Sequence, residues 1–184
     1  MKTENRILMS KAIDSLSGNW GLSIGTYLVF GLISGVGGVI GLIIGGPMRL
    51  GSAIFSLNLA SGKKIELSQI FDGFENFAES LVAFLLMALY TFLWSLLFII
   101  PGIVAAISYS QTFFILADKK GTKGVDALDE SKAMMYGFRW KFFCLGMRFF
   151  GWFILSILTF GIGFLWLIPY AQVSLANFYK DLKK

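Results

Sequence analysis

Residues 96–108 read "LLFIIPGIVAAIS", inside a run from Leu81 to Ala117 that holds no Asp, Glu, Lys or Arg. That run is 37 residues long, whereas one helix needs only about 20 to cross a hydrocarbon core of about 30 Å. Pro101-Gly102 falls near its middle. Proline clashes with the carbonyl four residues back, and glycine leaves helical geometry at little cost. The run therefore reads as two membrane helices joined by a turn.

The rest of the chain supports a lipid environment. Hydrophobic residues make up 56% and charged residues 15%, with a mean hydropathy of +0.72; soluble domains carry roughly 25% charged residues. A water-soluble fold of 184 residues could not bury 19 Phe and 5 Trp along with its Leu and Ile. The net charge of +5 comes from basic residues that flank apolar spans rather than cluster with stacking aromatics. That pattern fits the positive-inside rule and excludes a nucleic-acid partner. The single cysteine, Cys144, rules out an intrachain disulfide framework. With no histidine, the commonest metal ligand and the commonest acid–base group are both missing. The first twenty residues stay charged too long for a signal-peptide n-region, so the apolar run from Trp20 is expected to remain as a membrane span.

Two more blocks repeat the pattern. Residues 20–60 are interrupted by "GGPMR" at 45–49, residues 77–117 by Pro101-Gly102, and residues 142–179 by "TFGIGF" at 159–164. Each block is long enough for two crossings around a Gly/Pro break. The segments outside the blocks hold 14 of the 16 basic residues. If each block is a hairpin, both termini and the linkers 61–76 and 118–141 share one side, and the lysines make that side cytoplasmic. The second legs close on similar endings, "SLNLASGKK" (56–64), "TFFILADKK" (112–120) and "ANFYKDLKK" (176–184). These endings suggest an internally repeated hairpin, although membrane helices commonly end in Lys for interfacial reasons alone. The second legs 49–62 and 102–117 look short, at about 21–24 Å, so they either span a thinned bilayer or are re-entrant.

Gly37, Gly41 and Gly45 recur at i, i+4 and mark a candidate helix-packing face. Inside the spans, polar groups are costly and are functional candidates by default. These are Asn58, Gln111, Gln172 and Asn177, together with Arg148, which is close enough to Lys141 to snorkel toward the headgroups. In the second linker, Asp126 is expected to cap a short helix whose face Ala127, Ser131, Met134 and Phe138 lies in the membrane interface. Residues 67–80, with Ile70, Phe71, Phe74 and Phe77, are expected to do the same. Pro169 is expected to kink the last helix.

Several motifs resemble a known family. "IFDGF" (70–74), "IIPGIVAAISYSQTFFILAD" (99–118), "SKAMMYG" (131–137), "FFGW" (149–152) and "GIGFLWLIPY" (161–170) occur in order. The chain thereby resembles the bacterial integral-membrane family catalogued as domain of unknown function nine-seven-five. It is similar, more distantly, to the membrane domain attached to some glycerophosphodiester phosphodiesterases. The resemblance implies a location in the bacterial cell membrane. It supplies no activity or catalytic residues, and no phosphodiesterase activity carries over, because that enzyme's catalytic domain is absent from these residues.

The expected fold is all-α: one domain, residues 1–184, a polytopic bundle of about six membrane segments in three hairpins plus short interfacial amphipathic helices. The expected function is that of a multi-pass, non-enzymatic module of unknown biochemical activity, with no catalytic, cofactor or metal residues and both termini cytoplasmic. Its expected partners are membrane lipids, a membrane protein or further copies of itself. The alternative is a small transporter or channel component moving a solute, lipid or peptide, because broken helices and Gly-rich spans are common in transporters.

Overall fold

A computed structural model of the protein describes residues 3–35 and 38–183. Among these residues every regular element is helical: α1 (Asn5–Leu16), α2 (Trp20–Ser34), α3 (Gly38–Ala60), α4 (Phe77–Leu97), α5 (Ile99–Ser108), α6 (Thr112–Asp118), α7 (Gly124–Met134), α8 (Arg139–Leu158) and α9 (Phe164–Lys183). Two short 3₁₀ turns, Leu67–Ile70 and Asp72–Asn76, precede α4.

The 81–117 run does double back, but at Phe98 rather than at the Pro-Gly pair. Phe98 is extended (φ −161°, ψ 151°) between α4 and α5. Pro101 therefore falls in the first turn of α5, where backbone N–H groups have no intrahelical acceptor and a proline removes little. Gly102 lets the two legs close: a Cβ there would sit 2.9 Å from Cα of Ser95. The third block turns where expected. α8 ends at Leu158, Gly161 takes a left-handed φ of 89°, and Thr159 Oγ1 accepts from the Gly163 N–H at 3.0 Å.

The first block differs from its expected shape. "GGPMR" at 45–49 is no turn, because α3 runs through it with Pro47 inside the helix. The break falls instead after Ser34, where α2 ends. Residues 67–76 seat against α3 at this level, where the glycines of both segments allow close approach. A Cβ on Gly73 would lie 2.7 Å from the Gly51 nitrogen, and one on Gly51 would lie 2.5 Å from the Ile70 carbonyl carbon. The second legs are accordingly not short. α3 has 23 residues, about 34 Å, and α5 with α6 covers Ile99–Asp118, 20 residues, about 30 Å.

Four stretches among the described residues are long and apolar enough to cross a membrane: Gly41–Ala60, Leu67–Leu97, Ile99–Asp118 and Arg139–Leu158. α1 and α2 pass that test only together, and they meet at 100°. Burial sorts the legs into two layers. The apolar windows of α3 and α5–α6 are 56% buried, whereas those containing α4 and α8 are only 11% buried. α9 joins the inner layer through Val173, Ala176, Phe178 and Tyr179. Second legs thus form the centre, and α4 and α8 present Phe92, Leu96, Leu97, Phe150, Trp152 and Leu158 outward. So many exposed large apolar side chains on two long apolar helices suit a lipid environment better than water.

The lysine-bearing ends of the inner helices are fastened to one another. The Tyr179 hydroxyl donates to Asp118 at 2.8 Å, Lys183 pairs with the same carboxylate at 2.5 Å, and Lys180 Nζ donates to the Ala60 carbonyl at 2.7 Å. Phe114 stacks on Tyr179. α1, which the hydropathy pattern does not announce, lies across this end. Its Leu8, Ala12 and Leu16 are buried, Asn177 Nδ2 donates to the Leu8 carbonyl at 3.4 Å, and Asn5 Nδ2 donates to the Lys141 carbonyl at 2.8 Å.

The linker segments are packed into the protein more than their amphipathicity suggests. α7 begins at Gly124, not after Asp126, and Asp126 lies in its first turn. Its N-terminus is capped from another helix: the Gly124 N–H donates to the Glu79 carboxylate of α4 at 2.6 Å. Ala127, Leu128, Ser131 and Met135 are buried in the protein, so the apolar face of α7 is already covered by α4 and α6. Residues 67–76 likewise bury Ile70 completely, although Phe71, Phe74 and Phe77 remain exposed.

Candidate functional site: a cavity around Arg49

Continuing α3 through Pro47 carries Arg49 into the body of an apolar helix. Its guanidinium carbon lies 5.1 Å from the centroid of the Phe84 ring. Phe84 is five residues beyond Glu79 and thirteen before Leu97 on α4, about 8 Å and about 20 Å along the axis. On α3 itself Arg49 is eleven residues from Gly38 and eleven from Ala60, about 16 Å from either end, so it stands midway along the apolar helix. None of the four ion pairs among the described residues involves it.

Arg49 stands on the wall of a cavity of about 760 Å³ between α3, α4, α5–α6 and α9. Aromatic and aliphatic groups, among them Phe30, Met87, Phe113 and Leu175, make most of the lining. Ser52, Thr91, Ser95, Ser110 and Gln172 add polarity, and no Asp or Glu lines it among the described residues. Arg49, Ala88, Phe92 and Ala106 are exposed, so the cavity opens on the flank of the bundle. Three of its hydroxyls are committed to backbone carbonyls of their own turns: Ser52 to Arg49 at 2.8 Å, Ser95 to Thr91 at 2.7 Å and Ser110 to Ile107 at 2.8 Å. Beside it, Tyr27 of α2 meets Ser56 Oγ at 2.5 Å, which ties α2 to α3.

A second cavity, of about 840 Å³, opens at the lysine-bearing end. Its charges are mixed: Lys63, Lys120, Lys180 and Lys183 against Asp72, Glu75 and Asp118. Asp118 is already engaged by Lys183 and Tyr179, and nothing in this set selects one sign of ligand. On the far side of α9, Asp181 pairs with Lys141 at 2.9 Å and accepts from the Thr3 hydroxyl at 2.5 Å. Burial pushes the Asp181 carboxyl up, but the Thr3 and Lys141 hydrogen bonds and the Lys141 charge outweigh it, so its pKa lies below the ordinary value.

The candidates named from the sequence do not converge. Gln172 lines the Arg49 cavity, and Asn58 lines the lysine-end cavity, where its Nδ2 donates to Gln69 Oε1 at 3.3 Å. Gln111 is wholly buried between α5 and α6, with its N–H donating to Ser131 Oγ at 3.2 Å. Asn177 binds α1 to α9. Arg148 lies on the exposed side of α8, nine residues past its start. Of the glycines, Gly37 lies outside the described residues and Gly41 is half-buried in α3. Gly45 packs under Phe84, where a Cβ would come within 3.1 Å of the ring.

Sequence reasoning passed over Arg49, the one residue that makes this cavity chemically distinctive. The signal was present, since Arg49 is the sole charge in the 20–60 block, but placing a turn at Pro47 moved it out of the membrane.

Neither a curated protein nor a solved structure matches the chain. The family model described as "Protein of unknown function (DUF975)" matches residues 1–108 and 96–184, and the chain belongs to that family.

Proposed function

We propose that this protein is a multi-pass, non-enzymatic membrane module that takes lipid into the flank of its bundle. The observation that carries the reading is the cavity of about 760 Å³, apolar over most of its lining and bordered by exposed Ala88, Phe92 and Ala106. Apolar walls with a few polar groups suit one end of an amphiphile, and a mouth among lipid-facing side chains gives it entry from the bilayer. In this reading three hairpins supply about six membrane segments, the uncharged turns sit distally, and the lysine-bearing ends lie at the cytoplasmic face of a bacterial cell membrane.

The test is lipid analysis of the full chain purified in mild detergent, alongside an Ala106→Trp variant that narrows the mouth. Retained lipid that falls in the variant supports the reading. No retained lipid, or turnover of a lipid or peptide that single polar-to-Ala changes abolish, contradicts it. One observation favours solute passage as a second reading: Thr91, Ser95, Ser110 and Gln172 put polar groups on the cavity wall. Solute flux through reconstituted vesicles, blocked by bulky changes at Gly37 or Gly41, would support that alternative.

A further inference from the structure

A charged group inside an apolar helix costs about 2.5–3.5 kcal/mol on insertion scales, and such groups ordinarily find a partner. Arg49 has an aromatic face at Phe84 but, among the described residues, no carboxylate. A guanidinium offers five N–H donors in a planar fork, and the ring uses none of them. With the hydroxyls of Ser52, Ser95 and Ser110 committed, the donors left in this cavity are the Arg49 guanidinium, the Gln172 carboxamide and the Thr91 hydroxyl, of which only the guanidinium is charged. The site is thus positive, rich in donors and walled by hydrocarbon.

We infer that Arg49, assisted by Gln172, binds the phosphate of an anionic phospholipid whose acyl chains pass out along Phe92. Three features select this ligand. The fork geometry of arginine matches phosphate oxygens in pairs. The absence of Asp and Glu from the lining leaves nothing to hold a cationic headgroup, so a net-anionic lipid is preferred over a zwitterionic one. The depth is reachable as well: with the lysine-bearing ends in the headgroups, the site lies about 8 Å in along α4, the rise from Glu79 to Phe84, and about 16 Å in along α3, the rise from Ala60 to Arg49, so the phosphate enters from that face without crossing the bilayer. The cavity matches sites that hold drug-sized ligands, which is room for a headgroup and the start of a chain. This inference rests on the lipid-module reading above and names the lipid.

The test is native mass spectrometry of the full chain in mild detergent, titrated with phosphatidylglycerol, with phosphatidylcholine and with inorganic phosphate. Phosphatidylglycerol is expected to bind tightest, and Arg49→Gln to weaken it by about tenfold or more, the scale of a lost bidentate ion pair. Arg49→Lys keeps the charge but loses the fork, so it should fall between the two and serves if Arg49→Gln does not fold. Arg148→Gln, on the exposed side of α8, should bind phosphatidylglycerol like the unaltered chain. Unchanged phosphatidylglycerol binding in both Arg49 variants overturns the inference while leaving lipid uptake intact, and no lipid binding by the unaltered chain overturns both. Equal losses in Arg148→Gln and Arg49→Gln, or inorganic phosphate binding as tightly as the lipid, also overturn it.

Discussion

Replacing Gly51 by Ala tests the docking of residues 67–76 on α3 beside Pro47. An alanine Cβ at this position would lie 2.5 Å from the Ile70 carbonyl carbon and 2.9 Å from its Cα. Carbon atoms in contact sit about 3.5–4.0 Å apart, so the overlap is about 1 Å and falls on backbone rather than on a side chain that could swing away. Ile70 is wholly buried, and lifting its segment off α3 would expose it at about 1.5–3 kcal/mol. Overpacking itself costs about 1–3 kcal/mol, while alanine regains about 1 kcal/mol of helix propensity over glycine. The expected net loss is about 2 kcal/mol. Gly146→Ala on α8 is the control, because nothing lies within 4 Å of its Cβ position and the propensity gain stands unopposed. The two variants should therefore differ by about 3 kcal/mol in reversible unfolding with denaturing detergent. Equal stability of Gly51→Ala and Gly146→Ala would refute the packing of this segment against α3.

Glu79→Ala removes the carboxylate that receives the Gly124 N–H at 2.6 Å; it should cost about 1–3 kcal/mol, as expected for a hydrogen bond to a charged group, and raise amide hydrogen exchange at the start of α7 in particular. Gly124→Ala should do similar damage, because a Cβ there would lie 2.6 Å from the Glu79 carbonyl oxygen. Asp181 sets an acid limit on stability. Its pKa is lower in the folded chain than in the unfolded one, so its contribution is complete above the unfolded value of about 3.9 and is lost as pH falls through the folded value. Melting curves of the unaltered chain should thus lose stability below about pH 4 by a component that Asp181→Asn lacks.

The hydropathy pattern was enough to give an all-helical chain, paired legs and the turn at 159–164, because long uncharged runs have few alternatives in lipid. It failed where one proline has two uses. Pro101 and Pro47 look alike as helix breakers, yet Pro101 falls in the first turn of α5 and Pro47 lies inside α3, where Gly51 and Gly73 let another segment pack closely. Only the tertiary arrangement distinguishes the two. α1 was legible in principle, since Leu8, Ala12 and Leu16 follow one another at helical spacing, but its charged residues drew attention to the positive-inside rule instead. α7 buries Ala127 and Ser131 of the expected face, together with Leu128 and Met135, while Met134 and Phe138 are only half-buried; amphipathicity alone does not say that protein covers that face. Of the Arg49 cavity, the sequence pointed to Gln172 alone. The cavity's other members are spread over α2, α3, α4, α5, α6 and α9, and no spacing along the chain links one helix's members to another's.

The proposed topology requires the lysine-bearing ends to lie together at one membrane face. Single cysteines placed by Lys64→Cys, Lys123→Cys and Ile162→Cys in a Cys144→Ser background, probed with an impermeant thiol reagent in intact cells and in inverted vesicles, test this directly. The account predicts that Cys at positions 64 and 123 reacts in inverted vesicles and stays unlabelled in intact cells, while position 162 never reacts from the cytoplasmic side. Labelling of either linker position in intact cells would contradict it.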